Sequence, residues 1–122
     1  MARVIHFELN AKDPERAVKF YRQAFDWQID KWDGPQDYWL VKTGEASEPG
    51  IDGAIMRFDR DWMVVNTIGV DSFEEATQRI VAAGGKVLTE RTEIPGVGIM
   101  AYCSDTEGNV FGVMQSTGDT PS

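Results

Sequence analysis

Cysteine and histidine are almost missing from this chain: Cys103 and His6 are the single examples in 122 residues. One cysteine excludes an intrachain disulfide, so the fold must rest on a packed core. No paired-cysteine motif, Walker loop, nucleophile elbow or dinucleotide fingerprint occurs, which removes the chemistries those patterns carry. Basic residues are scarce too, 12 against 20 acidic, for a net charge of −8. Such a chain repels phosphate backbones and anionic lipid, so neither nucleic acid nor a membrane is an expected partner. No run reaches the length of a membrane helix. Met1-Ala2-Arg3-Val4 leads straight into a strand pattern without a signal peptide, and a cytoplasmic location is expected.

Aromatic residues are plentiful, with 4 Trp, 6 Phe and 3 Tyr in a chain that is 42% apolar. That suffices for the core of one ordinary domain. A domain this small still leaves much apolar surface outside, which makes a homodimer plausible.

Val4 to Leu9 alternates, with Val4, His6 and Glu8 on one face and Ile5, Phe7 and Leu9 on the other, so it predicts a strand. Asp13-Pro14-Glu15 predicts a helix start, followed by an apolar stripe of Ala17, Phe20, Tyr21, Ala24 and Phe25. Strands are predicted over 27–29, 38–42 and 51–57, with a surface loop over 43–50. A second cycle then begins with a strand over 63–70. Ser72-Phe73-Glu74-Glu75 fits a capping box, Phe73, Ala76, Ile80 and Ala83 form the stripe, and Gly84-Gly85 ends the helix. Strands follow over 86–88, 97–103 and 109–115, with a loop at Ile94-Pro95-Gly96 and a turn at 105–108.

The cycles superpose at an offset of 59. Glu15-Arg16-Ala17 falls on Glu74-Glu75-Ala76, Ile29 on Leu88, Gly53 on Gly112 and Ala54 on Val113. The fold class is therefore α+β: two tandem β-α-β-β-β units forming a curved mixed sheet of about eight strands with an inner cavity and the helices outside. A single domain over 1–116 is expected, with halves of about 1–58 and 59–116 and a flexible tail over 117–122.

The sequence resembles the vicinal oxygen chelate superfamily, which includes glyoxalases, bleomycin-resistance proteins and extradiol dioxygenases. The first half carries this in His6-Phe7-Glu8-Leu9, Asp13-Pro14-Glu15-Arg16-Ala17, Phe20-Tyr21 and Phe25-Asp26-Trp27. The second half carries it in Val70-Asp71, Gly84-Gly85 and Asp105-Thr106-Glu107-Gly108-Asn109-Val110-Phe111. Asp26 stands where the family often has Gly. The ordered set points to the fold, which hosts several chemistries.

The resemblance implies a divalent metal held by four side chains, one from the first and one from the last strand of each half. His6 is the first such position, and the offset places the others at Gly53, Val65 and Gly112. Valine has no lone pair, and glycine has only a backbone carbonyl already paired in a strand. A slip of one residue reaches Asp52 or Asn66, but those side chains would turn to the other face. No cofactor is therefore expected, and His6 is the one retained ligand position.

His6 and Glu8 share a face and could act as acid and base; they could equally pair as a structural hydrogen bond. Val110, Gly112 and Met114 share another face, where Gly112 leaves room for an apolar ligand or serves close packing. Trp39, Trp62, Met100 and Tyr102 could line a pocket or pack a core. Cys103 reads as a buried thiol. The expected ligand-binding set is His6, Glu8, Trp39, Tyr102, Val110, Gly112 and Met114, with His6 and Glu8 as catalytic candidates. The expected function is binding of an apolar or aromatic small molecule without the usual metal centre. The alternatives are a metal-independent lyase or isomerase using Glu8 and His6, a metal-dependent glyoxalase or dioxygenase, and an interaction domain with a vestigial cavity.

Overall fold

A computed structural model describes residues 2–57 and 61–117. They form two helices and nine strands, and divide into two compact units. One comprises His6–Val65; the other begins with residues up to Ile5 and resumes at Asn66. The tail expected over 117–122 falls, beyond Thr117, outside the described residues.

The unit His6–Val65 contains most of β1 (Arg3–Ala11), α1 (Pro14–Phe25), β2 (Gln28–Lys31), β3 (Tyr38–Lys42) and β4 (Gly53–Arg57). β2 and β3 pair antiparallel, as do β3 and β4, while β4 runs parallel to β1. The first helix begins where the sequence predicts, with the Asp13 carboxylate accepting from the Arg16 amide at 3.2 Å. Its buried stripe differs from the expected one. Pro14 and Val18 are buried, Ala17 and Tyr21 partly so, while Phe20 and Phe25 are 57% and 59% exposed. Pro14, Ala17, Val18 and Tyr21 are spaced by three and four residues, so Val18 sets the inward direction and the bulky rings fall to its flank. There Tyr21 stacks on Trp27 at 5.0 Å, with Phe25 5.6 Å from the same indole. The core beneath α1 is Val18, Ile29, Trp39, Val41 and Ile55, flanked by Phe7 and Leu9.

The other unit holds β5 (Val64–Gly69) from Asn66 onward, α2 (Phe73–Ala82), β6 (Lys86–Val87), β7 (Thr92–Ile94), β8 (Gly98–Ser104) and β9 (Val110–Ser116). β5 is parallel to β9, and β8 is antiparallel to β9, β6 and β7. Ser72 accepts from the Glu75 amide at 3.2 Å. The helix ends as predicted: Gly84 adopts φ +101°, its amide bonds Val81, and the Gly85 amide bonds Ile80. Beneath α2 lie Phe73, Ala101, Cys103 and Val113, with Ala76 and Ile80; Ala83 is exposed. Thr92–Ile94 is a short strand on β8 that the sequence does not predict; of the expected loop Ile94-Pro95-Gly96, Ile94 closes this strand while Pro95 and Gly96 lie in the turn. The strand's polar residues hide the periodicity, and three residues are too few to show any.

No helix among the described residues is long and apolar enough to cross a membrane.

Candidate functional site

Strand alternation assigns each residue of the unit His6–Val65 to one of two faces. Phe7 and Leu9 of β1 pack under α1. His6 and Glu8 therefore lie on the opposite face, as predicted. Register then extends that face across the sheet. Glu8 is opposite Ala54 of β4, Ala54 is opposite Leu40 of β3, and Met56 is opposite Tyr38. Ala54 and Met56 are buried and Leu40 is 48% exposed.

Two polar features stand among these apolar residues. His6 Nε2 lies 3.3 Å from Tyr38 Oη, which joins residues 32 positions apart in sequence. Glu8 is 6% exposed. Burial pushes the His6 imidazole below its ordinary pKa, partly offset by the Asp52 carboxylate. Burial also pushes the Tyr38 phenol well above its ordinary value, and the Glu8 charge pushes it the same way. At neutral pH the pair is an uncharged imidazole and an uncharged phenol. Such a pair can offer a donor and an acceptor to one ligand without a net cation.

Two expectations about facing are corrected. Gly53 pairs with Phe7, on the helix side, and a Cβ there would fall 2.4 Å from the Phe7 carbonyl oxygen and 2.6 Å from its ring. The β4 residue sharing the Glu8 face is Ala54, so the repeat drifts by one residue between the halves. Asp52 accordingly does not point away: its charge reaches His6, while it accepts from the Thr43 amide at 2.9 Å. Trp39 is also not on this face. It is 6% exposed in the core beneath α1, where it borders a shallow cleft of about 450 Å³ with Glu15 and Lys31.

In the other unit, Tyr102 is opposite Gly112 and Met100 opposite Met114, and Val110 follows on the same side. Register thus joins Tyr102, Val110, Gly112 and Met114 on one face. Of the two roles expected for Gly112, close packing is the one favoured, since a Cβ there would lie 3.1 Å from Thr67 Oγ1. Cys103 is fully buried on the helix side, and burial raises its pKa. Trp62 lines a cleft of about 910 Å³ with Asn10, Arg16, Phe20 and Met63.

The donor set does not fit the four-ligand metal site that the resemblance implies. His6 supplies an imidazole, but the positions sharing its role are Ala54, Val65 and Gly112, none of which has a donor side chain. Among the described residues no group of three or more His, Cys, Asp or Glu side chains is placed to hold a metal. Tyr38 is the residue that sequence reasoning missed. Its signal was its even position in β3, but only the β3–β4–β1 register shows that it meets His6.

Known proteins share this architecture. The sequence model of the Glyoxalase/Bleomycin resistance protein/Dioxygenase superfamily matches residues 3–113. CFP32, a candidate glyoxylase, is 29% identical over 111 residues in both Mycobacterium bovis and Mycobacterium tuberculosis. The match covers 88% of this chain but 42% of those proteins, so the chain spans less than half the length of these curated relatives. Among solved structures, Streptomyces coelicolor methylmalonyl-CoA epimerase with 2-nitronate-propionyl-CoA superposes with a TM-score of 0.73 at 16% identity, covering 98% of each chain. A superfamily member from Vibrio splendidus gives 0.68 at 16% identity, covering 96% of this chain and 100% of the other. A hypothetical protein from Bacillus halodurans gives 0.71 at 12% identity, covering 99% of each. At these identities the solved structures speak for the fold.

Proposed function

The chain belongs to the Glyoxalase/Bleomycin resistance protein/Dioxygenase superfamily, and we propose that it acts there as a small-molecule binding protein without the superfamily's side-chain metal centre. The ligand is apolar or aromatic and lies against the face carrying His6, Glu8 and Tyr38. The observation that supports this most is the His6–Tyr38 contact at 3.3 Å, set among Leu40, Ala54 and Met56. An apolar surface holding a few convergent polar groups is the general form of a ligand site. The working unit is a cytoplasmic homodimer with no nucleic acid or membrane partner. Large apolar side chains left outside, including Met63 at 78% exposure, favour self-association.

The test is a fragment screen by NMR on the full chain. Amides of His6, Glu8 and Tyr38 shifting together on addition of an aromatic fragment support the reading. Binders that move only other amides, with none of these three, overturn it.

A second reading is favoured by the burial of Glu8 together with the epimerase among the fold neighbours. A buried carboxylate can take a proton from a carbon acid while an adjacent phenol or imidazole returns one. Glu8 would then be the base, and His6 with Tyr38 the acid side. Glu8→Gln separates the two readings: turnover lost with binding retained identifies an enzyme, while binding without any turnover in the wild type leaves the binding protein. A metal-dependent glyoxalase or dioxygenase would have His6 as its lone side-chain ligand.

A further inference from the structure

The turn after β2 carries a tryptophan whose placement has no part in the core. Trp32 follows Lys31, the last residue of β2, and its amide donates to the Tyr38 carbonyl at 2.8 Å. The hairpin pairing therefore runs one residue past the strand and sets Trp32 opposite Tyr38. Cross-strand partners share a face, so Trp32 stands on the face of Tyr38, His6 and Glu8. Its ring meets the Tyr38 ring edge-on, at 6.0 Å and 72°. Gly34 holds it there: a Cβ at that position would lie 2.0 Å from the indole, so any side chain must displace the ring. Even so, Trp32 remains 40% exposed. A large ring packed on one side and open on the other is what a stacking wall requires.

Charge narrows the ligand further. Glu8 and Asp52 act electrostatically on Tyr38 and His6 respectively. Asp30 lies opposite Leu40 on the same face. Lys31 and Arg57, engaged by Asp37 at 3.9 and 3.2 Å, lie on the helix side with Trp39 and Ile55, while Lys42 shares the face of Leu40 and Tyr38. Among the described residues of this face, an incoming carboxylate would meet Glu8, Asp30 and Asp52 against the single amine of Lys42, and a net repulsion of this kind acts as a filter.

We propose that Trp32 is the stacking wall of the His6–Tyr38 face, and that the face selects an uncharged aromatic molecule bearing one hydrogen-bonding oxygen over an aromatic carboxylate. This rests on the ligand-face reading above. The oxygen meets the His6–Tyr38 pair while the ring lies against Trp32.

The experiment titrates 2-naphthol and 2-naphthoate into the full chain and follows backbone amides by NMR. In the wild type, 2-naphthol shifts His6, Glu8 and Tyr38 and binds about tenfold more tightly than 2-naphthoate. Trp32→Ala weakens 2-naphthol about fivefold or more. Gly34→Ala, which displaces the indole without removing it, weakens it as well, and serves if Trp32→Ala does not fold. Unchanged 2-naphthol affinity in both folded variants, or equal affinity for the two probes, overturns the inference while the ligand face stands. If neither probe moves the three amides in the wild type, the ligand-face reading fails and the inference with it.

Discussion

His6 and Tyr38 come together through register, and their protonation follows from burial. Because the folded imidazole has a pKa below its ordinary 6.5, the unfolded chain binds the proton more readily. Stability therefore falls as pH drops below about 6.5 and levels once the folded imidazole also protonates. Urea midpoints measured from pH 7 to pH 5 are expected to decline in the wild type, and His6→Gln should flatten that decline. Equal slopes would show that His6 is not desolvated. Gly53 makes a different residue-scale point. A methyl group there collides with backbone as well as with the Phe7 ring, so Gly53→Ala should cost about 1–3 kcal/mol, read as a lowered denaturation midpoint. The sequence shows that His6 and Glu8 share a face, since alternation along one strand is local. It does not show Tyr38, nor on which side Gly53 lies, because both depend on pairing between strands distant in sequence.

Helix ends were legible because capping is a property of adjacent residues. Asp13 and Ser72 cap their helices through amides three residues on. Asp13→Ala should lower stability by about 1 kcal/mol in a thermal or urea melt. Asp26 ends α1 with φ 58°, the single non-glycine among the described residues with positive φ, and its amide bonds the Arg22 carbonyl. This is the position where the resembled family often has glycine, and the left-handed conformation explains why. Asp26→Gly is expected to leave stability unchanged or raise it by up to about 1 kcal/mol; a clear loss would mean the Asp26 side chain contributes something the backbone does not show. The apolar stripe of α1 was harder to read. Counting the largest rings points it toward Phe20 and Phe25, while the sheet receives Val18 and Tyr21. Helical spacing defines a family of stripes, and the surface it packs on selects one.

Over the whole molecule, the repeat and the donor positions together bear on metal chemistry. With side-chain donors reduced to His6 at the four positions, the protein is expected to retain almost no nickel, zinc, manganese or iron(II) after incubation and desalting. About one ion per chain, lost in His6→Ala, would return the metal-dependent reading to first place. The sequence by itself determined the element order apart from β7, both helix caps, the repeat of about 59 residues and the superfamily, because these follow from local spacing and ordered motifs. Only the tertiary structure decided that Ala54 rather than Gly53 shares the Glu8 face, that Trp39 belongs to the core beneath α1, and that Tyr38 meets His6 with Trp32 against its own ring. A strand's own alternation says which residues face together, but a shift of one residue against its neighbour reverses what they face.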